Sequence, residues 1–128
     1  MKGSASQVEV KPPVSVVILT LNEEKNLGHC LDSLSWCDDI HVVDSQSTDQ
    51  TANIALNAGV HLVVNPFISQ GVQRNWALDN CPFKHDWILF LDADEESTPA
   101  FAAALGKAIE TAAPEVAGYY CCCKMMLY

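Results

Sequence analysis

Basic side chains are scarce in this sequence. Six Lys and a single Arg, Arg74, stand against 16 acids, for a net charge of −9. A nucleic-acid-binding face needs clustered Lys and Arg, so nucleic acid is not an expected partner. The acidity leaves room for a small anionic ligand, which a metal, a helix N-terminus or one well-placed Arg can hold. Long apolar runs are missing too. No segment approaches the ~20 residues that span a bilayer, and residues 1–13 have no apolar signal-peptide core. The six cysteines (Cys30, Cys37, Cys81, Cys121, Cys122 and Cys123) include no C-x-x-C pair. A thiolate zinc site is therefore not expected, and the spacing does not suggest a secreted disulfide framework. Reduced thiols and a cytoplasmic location follow as expectations, with peripheral contact at the inner face of the membrane left open.

What is present is a folded domain. Hydrophobic residues make up 49% and charged residues 18% of 128, a globular composition. Residues 1–13 read as a flexible leader and 14–128 as one domain. Val14 to Thr20 is a β-branched, nearly continuous apolar run, the pattern of a strand buried on both faces of a parallel sheet. Asn22 is placed to cap a following helix, with Glu23 and Glu24 in its first turn and Leu27, Cys30, Leu31 and Leu34 on its apolar face. Ile40 to Val43 makes a second strand. Ser47 and Gln50 fit a capping box for a helix over Thr51 to Ala58, closed by Gly59. Val60 to Val64 makes a third strand, Gln70 to Leu78 a helix, and Trp87 to Leu91 a fourth strand. Thr98-Pro99 opens a helix to about Ala112. Tyr119 to Tyr128 reads as a fifth strand that stops without a turn, as in a piece of a longer protein. Alternating strands and helices predict an α/β fold: a mostly parallel sheet with both apolar-run strands in its interior and helices on both faces.

Ligands of open parallel sheets bind beyond the carboxyl ends of the strands. Three such ends are polar here: Thr20-Leu21-Asn22-Glu23, Asp44-Ser45-Gln46-Ser47 and Asp92-Ala93-Asp94-Glu95-Glu96. With nine Asp in the chain, an Asp-x-Asp pair arises easily by chance, so its position after an apolar strand carries the weight. Two carboxylates held together repel, and a divalent cation removes the repulsion. Hard oxygen donors suit Mg²⁺ or Mn²⁺. A solvated acidic helix entry is the competing account. Asp44 reads either as an Asx turn leaving its strand or as an acceptor for a base or ribose. Arg74 is either a surface residue or a phosphate donor. His29, His41, His61 and His85 read as structural or surface residues, and Trp36, Trp76 and Trp87 as core.

Taken together, Val16 to Glu23, Val42 to Thr51, Gln73-Arg74-Asn75 and Leu89 to Glu95 resemble the family 2 glycosyltransferases of the GT-A, Rossmann-like fold. The form Leu91-Asp92-Ala93-Asp94-Glu95 is similar to the branch that adds sugars to bacterial lipopolysaccharide core. The resemblance implies a nucleotide-sugar site lined by Thr20, Leu21, Asn22, Glu23, Ser45, Ser47 and Ala93, with Asp44 on the base or ribose. It implies Arg74 near the base or diphosphate, Asp92 on ribose or metal, and Asp94 on the metal. The implied donor is a nucleoside-diphosphate sugar, UDP-linked, and the implied acceptor a glycan or lipid-linked sugar. The family's catalytic base is expected beyond Tyr128, and inversion at the anomeric carbon is expected. Three other readings compete. One is a non-catalytic nucleotide-binding domain. Another is a haloacid-dehalogenase-type phosphohydrolase using Asp92 and Asp94, which needs a later Lys and places its pair after an early strand. The third is a Rossmann dehydrogenase, which needs a G-x-G-x-x-G that does not follow the first strand.

Overall fold

The computed structural model describes residues 11–111. Four strands, β1 (Val14–Thr20), β2 (Ile40–Asp44), β3 (His61–Val64) and β4 (Trp87–Asp92), form one sheet in the order β3-β2-β1-β4. Every pairing is parallel. Four helices connect or follow them: α1 (Leu27–Asp32), α2 (Thr51–Asn57), α3 (Gln70–Asn80) and α4 (Pro99–Glu110).

Alternation along β1 explains its unbroken apolar run. Val14, Val16 and Ile18 pack into one cluster with Leu27, Cys30 and Leu31 of α1, Ala55 of α2 and Phe101 of α4. Val17 faces the other way and packs with Val43 and with Ala77 of α3. Helices thus cover both faces, and a strand between two apolar layers has no solvent side to mark with polar residues. Trp36, Trp76 and Trp87 are half-buried and pack against these clusters from their margins.

β1 is interior, as its sequence predicts. β4 is not: it ends the order of the described sheet, and Trp87, Ile88 and Phe90 are only half-buried. The predicted fifth strand, Tyr119 to Tyr128, lies outside the described residues, as does the run Cys121 to Cys123. Cys30, Cys37 and Cys81 are free and buried, in line with reduced thiols.

Two expected helix caps are absent. Asn22 adopts φ 54° and stands well before α1, which starts after Asn26 without a side-chain cap. The first turn of α1 holds no acid. The Asn22 carboxamide is engaged elsewhere, its Oδ1 accepting from the Thr48 N–H at 2.9 Å. Ser47 and Gln50 make no capping box. The Ser47 hydroxyl donates to Asp44, and Asp49 instead accepts the Thr51 N–H at the start of α2. Other boundary signals hold. Ser69 caps α3 by accepting from Val72, Thr98 caps α4 by accepting from Phe101, and Gly59 (φ 76°) follows the end of α2.

Candidate functional site

Parallel pairing brings the polar strand ends side by side. Thr20 is the register partner of Asp44, and Leu19 of Asp92. The carboxyl edge therefore reads Asp44, Thr20, Asp92 across three neighbouring strands. Thr20 donates to Asp44 Oδ1 at 2.6 Å. Asp44 is almost fully buried and also accepts the Ser47 N–H at 2.8 Å and the Ser47 hydroxyl at 2.6 Å. The Asp44 carboxylate thus shapes the loop after β2, accepting from the backbone three residues on, one residue further than an Asx turn.

The loops after β1 and β2 are laced together. Asn22 donates its N–H to Ser47 Oγ at 2.7 Å, Glu23 donates to Thr51 Oγ1 at 2.8 Å, and Glu24 Oε1 accepts from the Gln50 N–H at 3.0 Å. Leu21 projects into solvent at this edge. Ser45 is buried, and its hydroxyl accepts from Gln73 Nε2 at 3.1 Å. Gln73 also donates to the Asn65 carbonyl at 2.9 Å and accepts from the Asn65 side chain at 2.7 Å. This buried amide anchors α3 to the ends of β2 and β3 and so sets where the next residue, Arg74, stands. Sequence reasoning missed its positioning role. The available signal was a polar residue at the core-facing position of an amphipathic helix. The Arg74 guanidinium donates to Gln70 at 3.2 Å, and its charge counts among those acting on Asp92.

After β4 the chain makes a tight acid turn. Glu95 donates its N–H to the Asp92 carbonyl at 2.9 Å, and its Oε1 accepts the Asp92 N–H at 2.8 Å. Ala93 is buried, where a larger side chain would meet the core. Asp92 and Asp94 are solvent-exposed although they follow an apolar strand; the buried carboxylate of the turn is Glu95. Its Oε2 has no hydrogen-bond partner. Partial burial, then the charges of Glu95 and Asp94, hold the Asp92 carboxyl above its ordinary pKa, with Arg74 opposing. Beneath the turn, burial and then Glu95 push the Cys30 thiol up to about 12, so it is a protonated packing residue and no nucleophile. Three carboxylates in four residues, one with an orphaned oxygen, form a donor set suited to a hard divalent cation.

A twisted parallel sheet with helices on both faces and an acid turn at its carboxyl edge is the architecture of the GT-A glycosyltransferases. Glucosyl-3-phosphoglycerate synthase from Mycobacterium tuberculosis, solved with Mn²⁺, UDP and glucosyl-3-phosphoglycerate, superposes with a TM-score of 0.63 at 27% identity, over 78% of this chain and 40% of that one. TarS 1–349 of S. aureus superposes with a TM-score of 0.62 at 28% identity, over 76% and 32%. The chain belongs to glycosyl transferase family 2, whose profile matches residues 15–123. The lipopolysaccharide core biosynthesis glycosyltransferase LpsC of Rhizobium meliloti (strain 1021) is 35% identical over 114 residues, 85% of this chain and 41% of LpsC. An uncharacterized glycosyltransferase of Rickettsia bellii (strain RML369-C) is 40% identical over 84 residues, 65% of this chain and 28% of the relative. The chain thus spans less than half the length of these relatives. Family membership removes the phosphohydrolase and dehydrogenase readings. No helix among the described residues is long and apolar enough to cross a membrane.

Proposed function

We propose that residues 14–128 form the nucleotide-sugar-binding part of a glycosyltransferase, with residues 1–13 as a leader. The donor is a UDP-linked sugar and the acceptor a glycan or lipid-linked sugar such as lipopolysaccharide core, reached at the inner face of the membrane. The observation that carries the reading is the shared carboxyl edge of Asp44, Thr20 and Asp92, with the orphaned Glu95 oxygen behind the acid turn. The names of LpsC and of the UDP–Mn²⁺ complex support the acceptor class and the donor chemistry.

Asp92 and Asp94 would hold Mg²⁺ or Mn²⁺. When bound, the cation supplies Lewis-acid neutralisation of the leaving diphosphate. The chain's own residues do the positioning. Asp44 holds the β2 loop so that Ser45, Ser47 and the laced Asn22 and Glu23 shape the nucleotide pocket beside Thr20 and Leu21. Arg74, set in place by Gln73, brings positive charge toward the diphosphate. Ala93, buried between the two acids, lets the turn pack close to the core and so fixes where Asp92 and Asp94 stand. A carboxylate elsewhere in the whole protein would deprotonate the acceptor hydroxyl for inverting transfer.

Calorimetric titration of UDP, GDP and ADP in Mn²⁺ or EDTA tests this. Two carboxylates and waters make an incomplete cage, which diphosphate oxygens complete. Metal and UDP should therefore bind with positive, reciprocal coupling of about 1–3 kcal/mol. Asp94→Ala should abolish most of that coupling and leave the fold intact. Equal nucleotide binding with and without metal, unchanged by Asp94→Ala, would rule the donor site out.

A further inference from the structure

The opposite, amino edge of the sheet carries a second polar constellation. Asp39 stands just before β2, His41 is the second residue of β2, and His61 opens β3. His41 and His61 are register partners on parallel neighbours, so their side chains leave the same face. Asp39 lies two residues before His41, and extended backbone returns it to that face. The two imidazoles stack with centroids 4.4 Å apart at 11°. Both direct Nε2 at one oxygen, Asp39 Oδ1, at 2.9 Å from His41 and 3.6 Å from His61. The other oxygen, Oδ2, accepts from the Ser15 hydroxyl and the Lys84 N–H. Asp39 and His41 are buried, whereas the His61 side chain is 58% exposed. A cavity of about 240 Å³, bordered by Cys37, Asp39, Gly59 and His61 among others, opens beside them.

We propose that Asp39, His41 and His61 form a binding site for a divalent transition metal of the Zn²⁺ type, separate from the acid turn. The donor set is one carboxylate oxygen and two imidazole nitrogens, all within 4.8 Å of one another. Two His and a carboxylate with an open position are a recurrent set for Zn²⁺ and for other borderline metals, whereas Mg²⁺ and Mn²⁺ favour oxygen. Tetrahedral ligands about 2.0–2.2 Å from Zn²⁺ stand roughly 3.4 Å apart, a spacing that the 2.9 and 3.6 Å separations bracket. Ser15 and the Lys84 amide orient the carboxylate as outer-shell partners do in metal sites. Phe83, edge-on to His41 at 4.9 Å, restrains the buried ring. His61 is free to turn its ring onto the ion, and the cavity admits the ion and the water that completes its shell.

The test is Zn²⁺ titration by calorimetry, with Co²⁺ visible absorption as a geometric readout. It is run on the untagged chain in an Asp94→Ala background, which disables the other cation candidate. One saturable equivalent, a tetrahedral Co²⁺ spectrum and a raised Tm are expected. His61→Ala, at an exposed position, should keep the fold and weaken Zn²⁺ by about tenfold or more. Absence of saturable Zn²⁺ binding in the Asp94→Ala chain, or weakening by less than about tenfold in His61→Ala, overturns the site. Because Asp94 is already replaced, either result leaves the nucleotide-sugar reading untouched.

Discussion

Gln73 joins three segments through one buried amide, accepting and donating to Asn65 and donating to Ser45. Gln73→Leu is expected to cost about 1–3 kcal/mol for each polar group it strands. It should also loosen the position of Arg74, so UDP affinity falls along with the urea midpoint. Glu95 behaves in the opposite sense. Its orphaned Oε2 and its charge beside Asp92 burden the metal-free domain. The Asp92 carboxyl, whose folded pKa is raised, binds its proton more tightly in the folded state. Its contribution to stability therefore declines as pH rises from 3.8 through the raised value. Asp92→Asn should accordingly stabilise the domain at neutral pH, by less than about 1 kcal/mol because solvent screens an exposed group, seen as a slightly raised Tm, and should remove Mn²⁺-dependent UDP binding. A Tm lowered at pH 7 by this substitution would contradict the strain assigned to the acid turn.

At the scale of elements, loop closure matters more than helix propensity. α1 and α2 span six and seven residues, too short to be stable alone. They persist because the loops before them share hydrogen bonds and their apolar faces pack on β1 and β2. Gly59 ends α2 with φ 76°, and a Cβ there would meet nothing within 4 Å. Gly59→Ala should therefore cost about 1–2 kcal/mol from backbone conformation alone, read as a lower urea midpoint with unchanged m-value. The loop before β4 is tied to the loop before β2 by Asp38, which pairs with Lys84 at 2.7 Å and His85 at 2.8 Å. Those hydrogen bonds hold the Asp38 carboxyl down at about 2. This contribution is complete above 3.8 and is lost as pH falls toward 2. Burial depresses the neighbouring His41, so the folded state resists a proton that the unfolded chain accepts below 6.5. Stability should thus begin to decline below pH 6.5 and fall again below pH 3.8. His41→Gln should flatten the first step in a Tm-against-pH series and leave the second.

Across the whole molecule the net charge of −9 sets a long-range term. Self-repulsion weakens when the Debye length shrinks from about 30 Å at 0.01 M salt to about 8 Å at 0.15 M. Thermal unfolding at neutral pH should move to higher temperature over that range, and a salt-independent Tm would show that local pairs dominate. In the donor site proposed above, the same acidity would make the positive charge of Arg74 valuable to a diphosphate, since it is the one Arg of the chain.

The alternation of strands and helices, the buried character of β1 and the polar strand ends were all legible in the residues. They follow from hydrophobic period and local turn chemistry, which a chain carries along its own length. The parallel carboxyl edge at Thr20, Asp44 and Asp92 could be anticipated for the same reason, because parallel strands point their ends one way. Pairing partners could not be read. The place of β4 at the end of the described sheet, the Ser47 hydroxyl spent on Asp44 in place of a helix cap, Gln73 bridging to Ser45 and Asn65, and the meeting of Asp39, His41 and His61 each depend on strand order and register. Those are fixed by packing between residues up to about seventy positions apart, such as Ser15 and His85. A side chain with two satisfiable partners takes whichever the assembled sheet brings within hydrogen-bond reach, and only the tertiary structure decides which one that is.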